Sequence, residues 1–152
     1  MIYTASYQSP LGPMILKADD EALCFLEFGT TDSDDRNAII EATMAELDEY
    51  YQGKRTEFTL PLRAVGTPFQ MKVWQALSTI PYGETRSYGQ IAAQVDNPKG
   101  SRAVGMANNR NPISIIIPCH RVIGADGKLV GYGGGLDKKV WLLDFEQRHR
   151  PA

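Results

Sequence analysis

Ser87-Tyr88-Gly89-Gln90-Ile91-Ala92-Ala93-Gln94-Val95-Asp96-Asn97-Pro98-Lys99-Gly100-Ser101-Arg102-Ala103-Val104-Gly105-Met106-Ala107 is the stretch that decides the fold. Ser87 followed three residues later by Gln90 is a capping box, which predicts a short helix running to Val95. Asn97-Pro98 predicts the start of a further helix, reaching about Ala107 and stopped by Asn108-Asn109. Two short helices separated by a tight break fit helix-turn-helix topology. Three short-linked helices also occur in domains that bind no DNA, so topology alone leaves the partner open. The second of these helices is an unusual major-groove reader. It offers Arg102 and several small residues in place of the Asn, Gln and Arg side chains that read base edges. Small residues favour close backbone approach, as in minor-groove contact, or alternatively tight packing of Ala103, Gly105 and Ala107 on another helix.

On the N-terminal side, Thr67-Pro68-Phe69-Gln70 is a second capping box with Pro at the first helical position. Phe69, Val73, Trp74, Leu77 and Ile80 form its apolar stripe, and Pro81-Tyr82-Gly83 is expected to end it. Further upstream, Ser9-Pro10-Leu11-Gly12-Pro13 reads as a turn between β-capable runs, and Leu23 to Phe28 as another strand. Asp32 to Asp35 is expected to open a helix whose spacing runs through Ile40, Thr43, Leu47 and Tyr50, closed by Gly53. Residues 54–66 read as a strand or extended segment, then a linker. Cys24 reads as a small buried hydrophobe.

The 152 residues carry a net charge of −2, but unevenly. Residues 1–66 hold twelve acidic against five basic side chains, net −7, whereas residues 67–152 are net +5. A basic half suggests contact with a polyanion; chance segregation on a solvated surface is the alternative. No run is apolar enough to span a bilayer, and the first residues lack a secretory pattern. Two cysteines in unlike surroundings point to a reducing, cytoplasmic setting. Nothing resembles a dimerisation element, so a monomer is expected.

On the C-terminal side, Asn111-Pro112 breaks the chain, and Ile113 to Ile117 reads as a buried strand or extended segment with Cys119 at its exit. Cys119 and His120 are adjacent in Ile117-Pro118-Cys119-His120-Arg121-Val122. A thiol beside a base is the minimum needed for sulfur nucleophilicity at neutral pH. Leu136 to about Arg148 reads as a last helix. There Leu142, Leu143 and Glu146 share a face, which makes Glu146 either the carboxylate that holds His120 or a surface residue near a helix end. Gly131-Tyr132-Gly133-Gly134-Gly135 lacks the spacing of a nucleotide-binding motif and reads better as a loop offering backbone N–H donors.

Taken together, Pro81-Tyr82-Gly83, Ser87-Tyr88, Asn97-Pro98, Arg102-Ala103-Val104-Gly105, Asn111-Pro112, Pro118-Cys119-His120-Arg121-Val122, Tyr132-Gly133-Gly134-Gly135 and Trp141-Leu142-Leu143 with Glu146 resemble the catalytic domain of the O-6-alkylguanine-DNA alkyltransferases, in order as well as identity. The likeness spans residues 67–147 and is looser before them. It implies an α+β chain: a small α/β N-terminal domain over 1–66, then a mostly helical, winged-helix-like, DNA-binding catalytic domain over 67–152. It implies double-stranded DNA containing O-6-alkylguanine as partner, base flipping, and irreversible alkyl transfer to Cys119 without cofactor or metal. His120 would be the base, Glu146 its orienting partner, and Asn111 the brace of the turn between the recognition helix and the active-site segment. Arg102 would fill the vacated stack, and Tyr88 would help rotate the nucleotide. The backbone of Val122 and Gly133 would hold the guanine edge, with Ala103, Gly105, Arg110, Tyr132 and Gly134 as further contacts. Some relatives carry serine at the place of Gly133, and some hold zinc in the N-terminal domain; with no histidine before His120, no such zinc site is expected. Competing readings are a lesion sensor that binds without reacting, a Cys-His-Glu hydrolase, and a helix-turn-helix regulator.

Overall fold

The computed structural model describes residues 1–129, 132 and 135–151, and the chain divides into two compact units, Met1–Val65 and Gly66–Ala152. In the first unit, β1 (Tyr3–Ser9), β2 (Gly12–Ala18) and β3 (Leu23–Phe28) form an antiparallel meander in that order. Ser9 Oγ donates to the Gly12 carbonyl and accepts from the Leu11 amide, which closes the hairpin. One face of the sheet buries Ala5, Met14, Leu16 and Leu26, and α1 (Ala38–Tyr51) contributes Ile40, Leu47 and Tyr50 to the buried set. Each Leu or Ile removed from water there contributes about 1.5–3 kcal/mol.

Two expectations for this unit need correction. Asp32–Asp35 lie outside the helix; Asn37 is the cap, its Oδ1 accepting the Ile40 amide while its Nδ2 donates to the Asp19 carbonyl. Only Asn37 stands three residues before a free helical N–H with the apolar stripe beginning at Ile40. Cys24 is half-buried, not a core residue; its Sγ faces the Asp19 carboxylate at 3.7 Å.

The second unit is mostly helical: α2 (Pro68–Leu77), α3 (Tyr88–Gln94), α4 (Ser101–Asn109) and α5 (Leu136–Arg148), with the two-residue strands β4 (Arg86–Ser87) and β5 (Val122–Ile123). Both capping boxes form as the sequence predicts, on Thr67/Gln70 and Ser87/Gln90. Helices α3 and α4 are the helix-turn-helix. Their boundary differs from expectation, because Asn97 to Gly100 make a turn and α4 begins only at Ser101. The Gly100 amide bonds the Asn97 carbonyl, and the residue before Pro98 is disfavoured in helix. Likewise α2 ends at Leu77, before Pro81-Tyr82-Gly83, through tightened bonds from Thr79 to Ala76 and Ile80 to Leu77. The Trp74 indole donates to the Ala107 carbonyl at 2.8 Å and fastens the end of α4 to α2.

Residues 113–117, buried as expected except for the half-buried Ile116, form neither a strand nor an extended segment. The chain is tightly turned, with Ile117 N–H bonding Ile113 O and Cys119 N–H bonding Ile117 O. Ile115 takes a φ of +72°, a conformation that costs a β-branched residue about 1–3 kcal/mol. Asn111 holds the turn: its Nδ2 donates to the Ile117 carbonyl and its Oδ1 accepts the Ile113 amide. Cys119 therefore sits at the start of a single 3-10 turn, Cys119–Arg121, not at a strand exit. That turn runs into β5, which pairs in parallel with β4 directly before α3.

Asn111→Ala leaves the buried Ile113 amide without its acceptor and takes from the Ile117 carbonyl one of its two donors, the Cys119 amide remaining. The expected loss is about 2–4 kcal/mol in urea unfolding; a loss below about 1 kcal/mol would mean the turn holds itself.

Candidate active site

The 3-10 turn buries three consecutive reactive or charged side chains: Cys119 is 5% exposed, His120 0% and Arg121 6%. Such burial requires that every polar atom be satisfied, and α5 supplies the partner. Glu146, on the buried face of α5, accepts from His120 Nε2 at 2.7 Å, from Arg121 Nε at 2.7 Å and from Arg121 Nη2 at 3.0 Å. Arg121 Nη1 donates to the Ile80 carbonyl at 2.7 Å, and its guanidinium lies 5.6 Å from the centre of the Tyr82 ring. The sequence left two roles open for Glu146; the structure buries it against His120.

Burial alone would push the Glu146 carboxyl up. His120 and the two-pronged Arg121 reverse this and hold it well below the usual carboxylate range. Complete burial holds His120 below its ordinary value; Glu146 pulls the other way, while the Arg121 and Lys139 cations add to burial. At neutral pH the pair is thus a neutral imidazole donating Nε2–H to a carboxylate. Nδ1 then carries the lone pair, and it has no hydrogen-bond partner among the described residues. A base held at one ring nitrogen, with the lone pair left on the other, is what thiol deprotonation needs.

Lys139, Tyr88 and Asn108 complete the surroundings of the turn. Lys139, on the same face of α5, is wholly buried, and its Nζ donates to the Val122 carbonyl at 2.6 Å. Burial pushes Lys139 down to about 8, opposed by negative charge at Cys119. Its Nζ lies 5.9 Å from the Tyr88 ring centre. Tyr88 is half-buried at the start of α3, and burial, with the charge of Cys119, raises its hydroxyl above the ordinary value. Asn108, buried on α4, donates to the Cys119 carbonyl at 3.3 Å. The recognition helix is thereby bonded to the reactive residue.

Asn111 braces the turn, as described above. Arg102 and Ala103 are exposed on α4, and Arg110 is exposed at its end. Gly105 is half-buried; a Cβ there would stand 3.8 Å from the Tyr88 ring, an ordinary contact. Ala107 is buried, so of the three small residues only this one fits the packing alternative fully. Ala103, Met106, Ala107 and Arg110, with Thr67, Phe69 and Gln70, line a surface cavity of about 300 Å³. Tyr132 is half-buried, and its carbonyl accepts the Gly135 amide. Gly133 and Gly134 lie outside the described residues, as do Val130 and Gly131.

Sequence reasoning missed Arg121, Lys139 and Asn108. Lys139 had a signal: it shares the helical face of Leu142 and Glu146, where a second charge calls for explanation. Arg121 and Asn108 had none beyond their neighbours.

A family model described as "6-O-methylguanine DNA methyltransferase, DNA binding domain" matches residues 68–148, and its "ribonuclease-like domain" counterpart matches 2–64. The chain belongs to the 6-O-methylguanine DNA methyltransferase family. It is 51% identical to the methylated-DNA–protein-cysteine methyltransferase of Mycobacterium leprae, over 97% of this chain and 93% of that one. It is 48% identical to the protein of the same name in Methanosarcina acetivorans, over 95% and 98%. Among solved structures, the Mycobacterium tuberculosis O6-methylguanine methyltransferase superposes with a TM-score of 0.91 at 46% identity, covering 100% of this chain and 96% of the other. The M. tuberculosis OGT in complex with DNA superposes equally well, covering 99% and 96%. Among the described residues no helix is long and apolar enough to cross a membrane.

The depressed values of His120 and Glu146 fix the sign of the pH dependence. A group lowered on folding stabilises above its unfolded value and loses that contribution as pH falls. The unfolding midpoint in urea is expected to drop as pH falls below about 6.5, where an unfolded histidine begins to protonate, and to drop again below about 4.5 as carboxyls follow. His120→Gln should remove the first drop; a drop that persists unchanged would assign it to another group and mean that folding leaves the basicity of His120 unaltered.

Proposed function

We propose that this chain is a methylated-DNA–protein-cysteine methyltransferase that repairs O-6-alkylguanine in double-stranded DNA by moving the alkyl group to Cys119. The observation that carries the reading is the buried Glu146–His120 pair, with His120 next in the chain to the buried Cys119, which is in no disulfide, within a chain whose relatives bear that name over nearly their whole length.

DNA binds at the helix-turn-helix, and the damaged nucleotide turns out of the duplex into the site. Arg102, exposed on α4, takes the vacated place in the stack, while Ala103, Gly105 and Arg110 lie along the duplex. Tyr88 crowds the target nucleotide. The Val122 backbone and the Tyr132–Gly134 loop hold the guanine edge. Cys119 then passes its proton to Nδ1 of His120, directly or through a water, and Glu146 stabilises the imidazolium that forms. The thiolate attacks the alkyl carbon in line. An S–C bond forms as the C–O6 bond breaks, and the electron pair leaves with the guanine. The proton held by His120 balances the leaving base, so guanine is restored and Cys119 remains as a neutral thioether. The thioether is a stable end product, so each chain reacts once. Asn111 contributes by fixing the turn that presents Cys119. A reducing, cytoplasmic compartment suits a reaction that consumes a free thiol.

A lesion sensor that binds without reacting is not favoured, because it has no use for a thiol beside a poised base.

With duplex DNA bearing a radiolabelled O-6-methylguanine, Cys119→Ser should bind like wild type in a gel shift yet acquire no label. Label retained in that variant would exclude Cys119 as acceptor. Arg102→Ala should slow transfer by about tenfold or more while changing the salt dependence of binding little. An equal loss in both would make Arg102 a phosphate contact.

A further inference from the structure

We propose that Arg121 is a positioning residue for alkyl transfer: its guanidinium fork holds the Glu146 carboxylate so that a neutral His120 presents Nδ1 to the Cys119 thiol. The inference rests on the reading of Cys119 as acceptor and adds a part to it.

A guanidinium that is 6% exposed is costly unless its donors are placed. Here all three nitrogens are used. Nε and Nη2 bond the two carboxylate oxygens of Glu146, and Nη1 bonds the Ile80 carbonyl. A planar fork matches a carboxylate in two-point contact, which fixes the plane of the acid as well as its position. The oxygen Oε2 that receives Nη2 is also the one that receives His120 Nε2. The orientation of the imidazole is therefore set through a carboxylate that cannot rotate.

Charge works in the same direction. With only a neutral imidazole beside it, a buried carboxylate would draw a proton onto the ring or take one itself. Either outcome harms the relay, because an imidazolium cannot accept the thiol proton and a carboxylic acid cannot stabilise the imidazolium formed later. The fixed positive charge of Arg121 disfavours both. It keeps Glu146 ionised, and it opposes a resting charge on His120. A purely structural staple between α5 and the Ile80 carbonyl would need only the hydrogen bonds.

The test is the single-turnover rate constant for methyl transfer from lesion-bearing duplex, followed from pH 5.5 to 9, with folded content checked by circular dichroism. Arg121→Gln should make His120 more basic, so the acid limb of the profile moves up by about one pH unit. The plateau should fall by about tenfold to a hundredfold, because the acid is no longer held in plane. Arg121→Lys restores the charge without the fork; its acid limb should return to the wild-type position while the plateau stays low. Variants that fold and keep the wild-type profile would overturn the proposal. An absence of transfer by wild-type protein would instead overturn the proposed function. Should Arg121→Gln fail to fold, the ¹⁵N shifts of His120 in the wild-type protein decide. A protonated Nε2 with a bare Nδ1 at pH 7 is expected, and an imidazolium or a protonated Nδ1 would overturn the proposal.

Discussion

One buried carboxylate organises the second unit. Glu146 is 1% exposed and accepts from both residues that follow Cys119 in the chain. Its charge is tolerable only because Arg121 meets both of its oxygens, and its removal would leave a buried guanidinium unpaired. The 3-10 turn and α5 are thus held by an arrangement in which the stabilising groups are also those proposed to carry the chemistry. Burial has a second effect. In a low dielectric, the difference between a neutral and a charged imidazole is large, so small shifts of position become large changes of basicity.

The rest of the unit fixes the turn that carries Cys119. Asn111 bonds the backbone on both sides of a turn that includes a strained Ile115, and the chain emerges at Cys119. Asn108 ties α4 to the Cys119 carbonyl, and the β4–β5 pairing sets the turn beside the start of α3. A helix-turn-helix whose recognition helix is bonded to the reactive residue can convert docking on a duplex into placement of one nucleotide. The small residues of α4 suit that task better than base reading, since only Arg102 and Arg110 offer long polar side chains there.

Much of this was legible in the sequence, for physical reasons. The capping boxes at Thr67 and Ser87 are local chemistry and form as read. The apolar periodicity of α1 and α5 is likewise local; it set Glu146 on the face of Leu142 and Leu143 but left open whether that position was buried or at the surface. The errors fall where local signals compete. Asp32 to Asp35 offers several caps, and only the position of the first buried stripe residue selects Asn37. A run of Ile and Ser reads as a strand, yet the side chain of Asn111 imposes a turn on it. Arg121 escaped notice because its partners lie 25 and 41 residues away. No spacing rule reaches such distances.

The claim that Cys119 is a single-use alkyl acceptor is tested most directly by the intact mass of the protein after incubation with excess duplex DNA carrying O-6-methylguanine. The account predicts a gain of one methylene per chain, mapped to the peptide containing Cys119, and no further gain however long the incubation. Lesion consumed beyond one equivalent, or tight binding with the mass unchanged, would contradict it.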